Sequence, residues 1–325
     1  MLTSTADETA ASDPVSPAAR QPRPAYRPFR ASVVAVRELS PHFTRVTFTG
    51  PDFATFGTAG LDQRINLIFP LPGVGISDCG WDDAETLVDG AWYARWRALP
   101  NELRNPLRVY TVRAIRPQSL ELDVDFVVHG DGPAARWLAV AAPGDEIVVI
   151  GPDAVSPPST AGIDFHPGDA HSLLLVGDAT AAPAIAAILE SLPADRVAHA
   201  IIEVPEAEDA LDLVHSAAAT VRWIPRDGGA PGSRLLPAVR AWVADRHDIV
   251  DTTLASSAQF VAEPTGPDDL VWDVPEAPTG AGLYAWIAGE AEAITGIRRY
   301  LVREVGIDRG QIAFMGYWRN GRTTV

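Results

Sequence analysis

The hydrophobic pattern of this chain changes period once, and that change limits the fold more than any other feature. From Phe29 to about Pro152, short runs alternate apolar and polar residues between turn residues, as antiparallel strands do. The expected strands are Ala31 to Val36, Thr44 to Thr49, Arg64 to Phe69, Leu107 to Val112, Leu120 to Val128 and Glu146 to Ile150. In the fifth, Leu120, Leu122, Val124, Phe126 and Val128 share one face and Glu121, Asp123 and Asp125 the other, so one side is expected in a core. Residues 153–170 are rich in Pro, Gly and Ser, and the pattern changes after them. Apolar strands at Ser172 to Val176, Val197 to Val204, Thr220 to Ile224 and Tyr284 to Ala288 then alternate with helical segments at Pro183 to Ser191, Leu235 to Ala244 and Glu290 to Val305. Residues 249–283 are irregular and Pro-rich and receive no element.

The expected fold class is therefore all-β plus α/β. An N-terminal antiparallel Greek-key β-barrel over 26–153 would hide its strand edges by closure. A linker over 154–170 leads to an open parallel-sheet domain over 171–325 with a C-terminal helical segment. Residues 1–25 carry almost no large apolar side chain and read as a disordered tail.

Length and charge narrow the function. At 325 residues the chain is too long for one typical core and suits two. A formal net charge of −16 repels nucleic-acid phosphates over the whole surface, so no nucleic-acid partner is expected. All 26 basic residues are arginine, which excludes Schiff-base chemistry and a P-loop lysine. The single cysteine, Cys79, allows neither an internal disulfide nor a cysteine-ligated metal centre, and His166 and His171 have no metal-pair spacing. No bound metal is expected, and the expected compartment is the cytoplasm. Ser172 to Leu192 approaches the length of a membrane span, but Gly177, Asp178 and Pro183 make it a buried strand and helix instead, so no membrane insertion is expected. The chain is expected to be a monomer.

Three segments carry candidate chemistry. In Arg108-Val109-Tyr110-Thr111-Val112-Arg113, strand alternation sets Arg108 and Tyr110 on one face, where they could grip a pyrophosphate and cover a planar ring, or simply line an exposed strand. In His129 to Trp137, a Gly-containing turn opens a helix with Pro133 near its first position, so free N–H groups would face an anion. Gly177 to Pro183 links the first strand of the second domain to its helix, either as a dinucleotide-phosphate turn or as a plain connector. Glu203, near the end of the next strand, is a candidate acceptor for a ribose 2′-hydroxyl or an exposed strand-end acid. Beyond Arg298, the arginines outnumber the acids, and Arg319 and Arg322 after Tyr317-Trp318 are candidates for an anionic ligand.

In order along the chain, D-Q-R-I-N-L-I-F-P (62–70), R-V-Y-T-V-R, D-F-V-V-H-G-D-G-P-A-A-R-W, P-G-D, G-D-A-T-A-A-P-A-I (177–185), W-I-A-G-E (286–290) and G-Y-W-R-N-G (316–321) resemble the siderophore-interacting proteins, relatives of ferredoxin reductases. The resemblance implies FAD in the first domain, NADH or NADPH in the second, and a ferric siderophore as substrate and partner. It implies that Arg108 binds the FAD phosphates, Tyr110 packs on the isoalloxazine and Thr111 lies near flavin N5. Asp125, Val127 and His129 would line the ribityl and ring, and Gly132, Pro133, Ala134 and Trp137 would hold the pyrophosphate. Gly177, Asp178, Thr180, Glu203, Gly289 and Glu290 would serve the nicotinamide nucleotide, with Glu203 favouring NADH. Arg64 stands where the family has His, Asn66 where it has Lys, Ala135 where it often has Ser and Ala179 where it commonly has Glu. Arg64, Arg319 and Arg322 would contact the siderophore. No protein acid or base is required for catalysis. A general flavin or quinone reductase and a non-enzymatic siderophore-binding protein are the rival readings.

Overall fold

A computed structural model describes residues 24–128, 130–215, 218–257, 259–260, 266, 270–275 and 282–321. Apart from Pro24 and Ala25, the expected tail lies outside the described residues.

Seven antiparallel strands build the first sheet: β1 (Tyr26–Ser40), β2 (Phe43–Thr49), β3 (Arg64–Ile68), β4 (Leu107–Thr111), β5 (Ala114–Arg116), β6 (Glu121–Val127) and β7 (Glu146–Pro152), in the order β4-β3-β7-β1-β2-β6-β5. The two ends of that order, β4 and β5, are separated in sequence only by Val112 and Arg113. The sheet thus curls back on itself, and the β2-to-β3 connection passes over β1 and β7 in Greek-key fashion. β1 begins earlier than its alternation suggests because it serves two partners, β7 from Tyr26 to Ser32 and β2 from Ser32 to Ser40. Phe29, Phe48, Ile65, Leu122, Val124, Phe126 and Val149 fill the interior.

On β6 the sequence reading needs correction. Its acidic face is not open to water: Asp123 and Asp125 are buried too, because arginines cover them. Arg116 lies 2.8 Å from Asp123, and Arg45 makes two bonds to Asp125 at 2.7 and 2.8 Å. Alternation reports polarity, and a buried ion pair is polar on both sides.

Between β3 and β4 the chain adds α1 (Ala84–Asp89) and α2 (Trp92–Ala98), which the strand-like texture did not announce. They bury Trp81, Trp92, Trp96 and Cys79 against Ile68, Val148 and Ile150. Helix α3 (Pro133–Leu138) follows β6.

The second sheet contains β8 (Ser172–Gly177), β9 (Val197–Val204), β10 (Ala218–Pro225), β11 (Trp272–Asp273), β12 (Leu283–Glu290) and β13 (Ile312–Trp318), in the order β10-β9-β8-β12-β13-β11. Its helices are α4 (Ala182–Ser191), α5 (Leu235–Asp245), α6 (His247–Val250) and α7 (Ala291–Arg298). One expectation is corrected here: the sheet is mixed, since β11 runs antiparallel to β13. α7 passes into a π-helical turn, Arg299–Val305, and β13 then enters the sheet, a strand that the sequence reading did not include. The Ile312–Met315 stretch is wholly buried, and so short an apolar run has no period that tells strand from helix.

β8 lies between β9 and β12, so the connections leave it in opposite directions, and the ends of β8 and β12 frame a topological switch point. Open sheets of this kind bind ligands at such a crevice.

The two parts touch extensively. Phe43, Leu39, Leu61 and Val127 pack into the core around α4. Asp209 is fully buried and accepts from Ser40 Oγ at 2.7 Å, from the His42 amide at 2.9 Å and from the Glu206 amide at 3.1 Å, with His42 Nδ1 2.8 Å away. Burial raises its pKa, yet the Ser40 and His42 hydrogen bonds outweigh that and hold it below the ordinary value. Arg113, just past β4, bridges to Glu190 on α4. Asp62 accepts from Trp286 Nε1 of β12 at 2.8 Å.

Candidate functional site

Alternation on β4 turns Val109 outward, 58% exposed, and sets Arg108 and Tyr110 together on the opposite face. Tyr110 packs on Phe126 at 4.5 Å and on Phe69 at 6.3 Å, and burial raises its pKa. Arg108 is half-buried, and its guanidinium donates to the Leu107 carbonyl at 2.7 Å. It has no carboxylate partner among the described residues. Burial lowers its pKa, with Tyr110 opposing, as expected for a desolvated cation. Thr111 is buried directly opposite Arg64 in the β3–β4 register.

Trp137 of α3 is 7% exposed, and its ring lies 5.2 Å from Phe69 and 5.8 Å from Phe126. It belongs to the barrel core, but its indole N–H is buried without a hydrogen-bond partner. Gly132 caps α3 without a side-chain bond, and a Cβ at Gly130 or Gly132 would meet open space. Pro133 opens the helix, and Ala134 packs against the barrel core. An orphan donor, an unneutralised guanidinium and an uncrowded glycine turn fit a ligand carrying phosphates, as FAD does.

The other residues on this side divide. Asp125 is taken up by Arg45 and by Arg113 at 3.5 Å, so its carboxylate is bound within the protein. Val127 packs against the core of the second domain. His129 lies outside the described residues. A cavity of about 340 Å³ runs between the barrel and α4, bordered by Arg45, Arg113, Asp125, Pro183 and Glu190.

At the switch point, Gly177 and Gly289 allow a close approach that no other residue would. A Cβ on Gly177 would come within 2.4 Å of Ala181 Cβ, and one on Gly289, at φ +149°, within 2.7 Å of Asp178 Oδ2. Asp178 is the hub of this region. It accepts from the Thr180 amide at 2.9 Å, the Thr180 hydroxyl at 2.6 Å, the Glu290 amide at 2.7 Å and Trp318 Nε1 at 2.9 Å. Its carboxylate thus shapes the turn. Glu290 caps α7 through the Glu292 and Ala293 amides, and its other oxygen accepts from the Asn320 amide at 3.2 Å.

Glu203 is not the exposed strand-end acid that the sequence also allowed: it is 1% exposed, and it accepts from the Gly232 amide at 2.6 Å and the Arg234 amide at 2.8 Å. Burial raises its pKa, opposed by these two bonds.

The three candidate siderophore arginines are not equivalent. Arg64 lies 3.0 Å from Asp164 and stacks over the Trp272 ring at 4.4 Å. Arg319 is half-buried after β13, and Arg322 lies outside the described residues. The basic surplus beyond Arg298 is also less open than it reads, because Arg298 and Arg309 share Asp273 at 2.8 and 3.0 Å.

Sequence reasoning missed the layer between the arginines and the switch point. Asp62 is 1% exposed, and burial raises its pKa to about 6, partly offset by the Trp286 hydrogen bond. Beside it the Tyr317 hydroxyl is buried without a partner, its ring 6.2 Å from Trp286 and 5.9 Å from Trp272. Asp62 and Trp286 both stood within quoted motifs, but 224 positions apart nothing linked them.

Residues 32–156 match the model of the siderophore-interacting FAD-binding domain, and residues 170–321 match that of the siderophore-interacting protein. Rv2895c of Mycobacterium tuberculosis, itself uncharacterized, is 34% identical over 91% of this chain and 92% of its own. The ferric vibriobactin reductase ViuB of Vibrio cholerae is 29% identical over 89% of this chain and 88% of its own. Among solved structures, a siderophore utilization protein from T. fusca superposes with a TM-score of 0.65 at 28% identity, covering 93% of this chain and 97% of that one. A ferredoxin NADP+ reductase from Neisseria gonorrhoeae shares the fold at 12% identity and a TM-score of 0.53, over 90% of this chain and 99% of that one.

Proposed function

The chain belongs to the siderophore-interacting protein family, and from that premise we propose that it passes electrons from NAD(P)H through FAD to Fe(III) held by a siderophore. The observation that carries this reading is Arg108, a half-buried guanidinium without a carboxylate partner among the described residues, on a strand that leads directly to the Arg113–Glu190 bridge onto α4. An anion site on the barrel is thereby coupled to the helix that opens at the switch-point crevice.

The protein's own residues would do little proton chemistry. Arg108 and the Trp137 N–H would hold the phosphates of FAD, and Tyr110 would offer its ring edge beside Thr111. Gly177 and Gly289 would admit a dinucleotide to the crevice, and Asp178 would keep the turn in shape. When bound, FAD supplies the conversion between two-electron and one-electron transfer. Siderophore oxygens hold Fe(III) better than Fe(II), so reduction would loosen the iron.

Purified protein should show a flavin absorbance band that bleaches on anaerobic addition of a nicotinamide nucleotide and recovers on addition of a ferric siderophore. A bleached flavin that ferric siderophores leave unoxidised would sink the reading. A second reading, a general flavin or quinone reductase, is favoured by the pairing of Arg64 with Asp164, which weakens the pull on an anionic chelate. It would show as faster reoxidation by free quinones than by any ferric siderophore.

A further inference from the structure

The cavity of about 340 Å³ between the barrel and α4 leaves side-chain packing incomplete where the two parts meet. A chain of alternating charges borders it. Arg45 of β2 makes two bonds to Asp125 of β6 at 2.7 and 2.8 Å, and Arg113 Nε lies 3.5 Å from Asp125 Oδ2. The Arg113 fork then closes on Glu190 of α4, with Nη1 2.8 Å from Oε2 and Nη2 bonded to Oε1. Arg113 is rooted firmly. It lies in the two-residue link between β4 and β5, where its amide donates to the Asp123 carbonyl and the Val112 amide donates to the Gln63 carbonyl, both at 3.0 Å. Glu190 is the only charged residue of α4, whose residues from Ala182 to Leu189 are all buried. It stands next to last in the helix, where the helix dipole disfavours a carboxylate, so helix stability does not account for it. The ten residues of α4 make a rod about 15 Å long, and its other end opens at the Gly177–Pro183 turn of the switch-point crevice. Asp62 and Asp209 pin the two parts elsewhere, and neither bonds to α4.

We infer that Arg113 and Glu190 are positioning residues: their bond sets the register between the ligand face of β4 and the switch-point crevice, and so the rate of electron passage between the two nucleotides, without contributing to the binding of either. This rests on the proposed path from NAD(P)H to FAD. Arginine suits the task because a guanidinium that grips both oxygens of a carboxylate fixes angle as well as distance. Glu190 is exposed, and exposed ion pairs add little to stability, so the bond acts on geometry more than on folding. Geometry is where a small change tells, since a displacement of about 1 Å between reacting groups can cost about a hundredfold in rate.

Two measurements on the FAD-loaded full chain test this. Nitroxide labels on Glu146→Cys and Thr220→Cys, exposed positions on opposite sides of the domain boundary, report the spacing of the two parts by pulsed electron paramagnetic resonance, while the native Cys79 is buried and stays unlabelled. Stopped-flow bleaching of the flavin by NADH and by NADPH reports the limiting rate and the half-saturating nucleotide concentration. In Glu190→Gln, which keeps the size of the side chain, the label distances should shift or broaden and the limiting rate should fall about ten- to a hundredfold. The half-saturating concentration, and FAD affinity by fluorescence titration, should change less than about twofold. Arg113→Gln should match it, and the double variant should be no slower than either single one, because each removes the same bond. Unchanged label distances, or a limiting rate within about twofold of wild type, overturn the assignment. So do losses that multiply in the double variant, and so does a loss of FAD affinity that matches the loss of rate, which would make Arg113 a ligand residue. A wild-type flavin that neither nucleotide bleaches overturns the proposed function instead, and the label distances then still decide whether the pair sets the register.

Discussion

Replacing Asp62 by Asn tests whether a buried acid holds the two halves of this molecule together in a pH-dependent way. Burial is the main reason its carboxyl titrates at about 6 instead of the ordinary 3.8; the neighbouring Asp164 adds to the rise, and the hydrogen bonds from Trp286, Phe165 and Asp164 oppose it. A carboxyl with a raised folded-state pKa contributes stability that is complete below its unfolded value and is lost as pH rises through the folded one. A rise of about two pH units at about 1.4 kcal/mol each amounts to about 3 kcal/mol, of which about 2 kcal/mol should be lost between about pH 4.5 and about pH 7.5. Solvent screening takes little from this, because the side chain is 1% exposed. Asn cannot titrate, and it can still accept from Trp286 Nε1. Denaturant unfolding of wild type and Asp62→Asn at several pH values isolates the effect, since every other group cancels in the difference. The wild type should lose ground to the variant steadily as pH rises. A difference that stays flat within about 0.5 kcal/mol over that range would show that Asp62 titrates normally and that its burial costs nothing.

Three further outcomes are expected. Arg108→Ala should weaken FAD binding by about 1.5–3 kcal/mol, roughly ten- to a hundredfold, and unchanged FAD affinity by fluorescence titration would remove Arg108 from the site. Gly177→Ala should destabilise the second domain by about 1–3 kcal/mol, because its Cβ would press on Ala181 and the Ala288 carbonyl; thermal unfolding at the wild-type temperature would refute the packing argument. Asp209→Ala strands the Ser40 hydroxyl and the His42 and Glu206 amides, and should cost about 2–4 kcal/mol by urea unfolding; a loss below about 1 kcal/mol would mean that water replaces the carboxylate.

Read alone, the sequence determined what local periodicity and short-range chemistry encode. The barrel strands and the Arg108–Tyr110 face follow from side-chain alternation within a few residues, and the buried strands β8, β9 and β12 from short apolar runs. The glycines at 177 and 289 were legible as parts of motifs, although the contacts that demand them were not. What escaped was decided by partners remote in the chain. β11 and the contacts that cover it could not be read from Pro-rich sequence, because so short an edge strand exists only through its pairing with β13. The acids of β6 looked solvated because only the fold brings Arg45 and Arg116 over them. Glu203 could be read as a ribose acceptor or an exposed strand-end acid, and only tertiary structure shows its carboxylate buried on the Gly232 and Arg234 amides. Asp62 and Trp286 meet for the same reason: low dielectric makes an unpaired buried polar group so costly that the chain must find it a partner, and only the folded chain shows which.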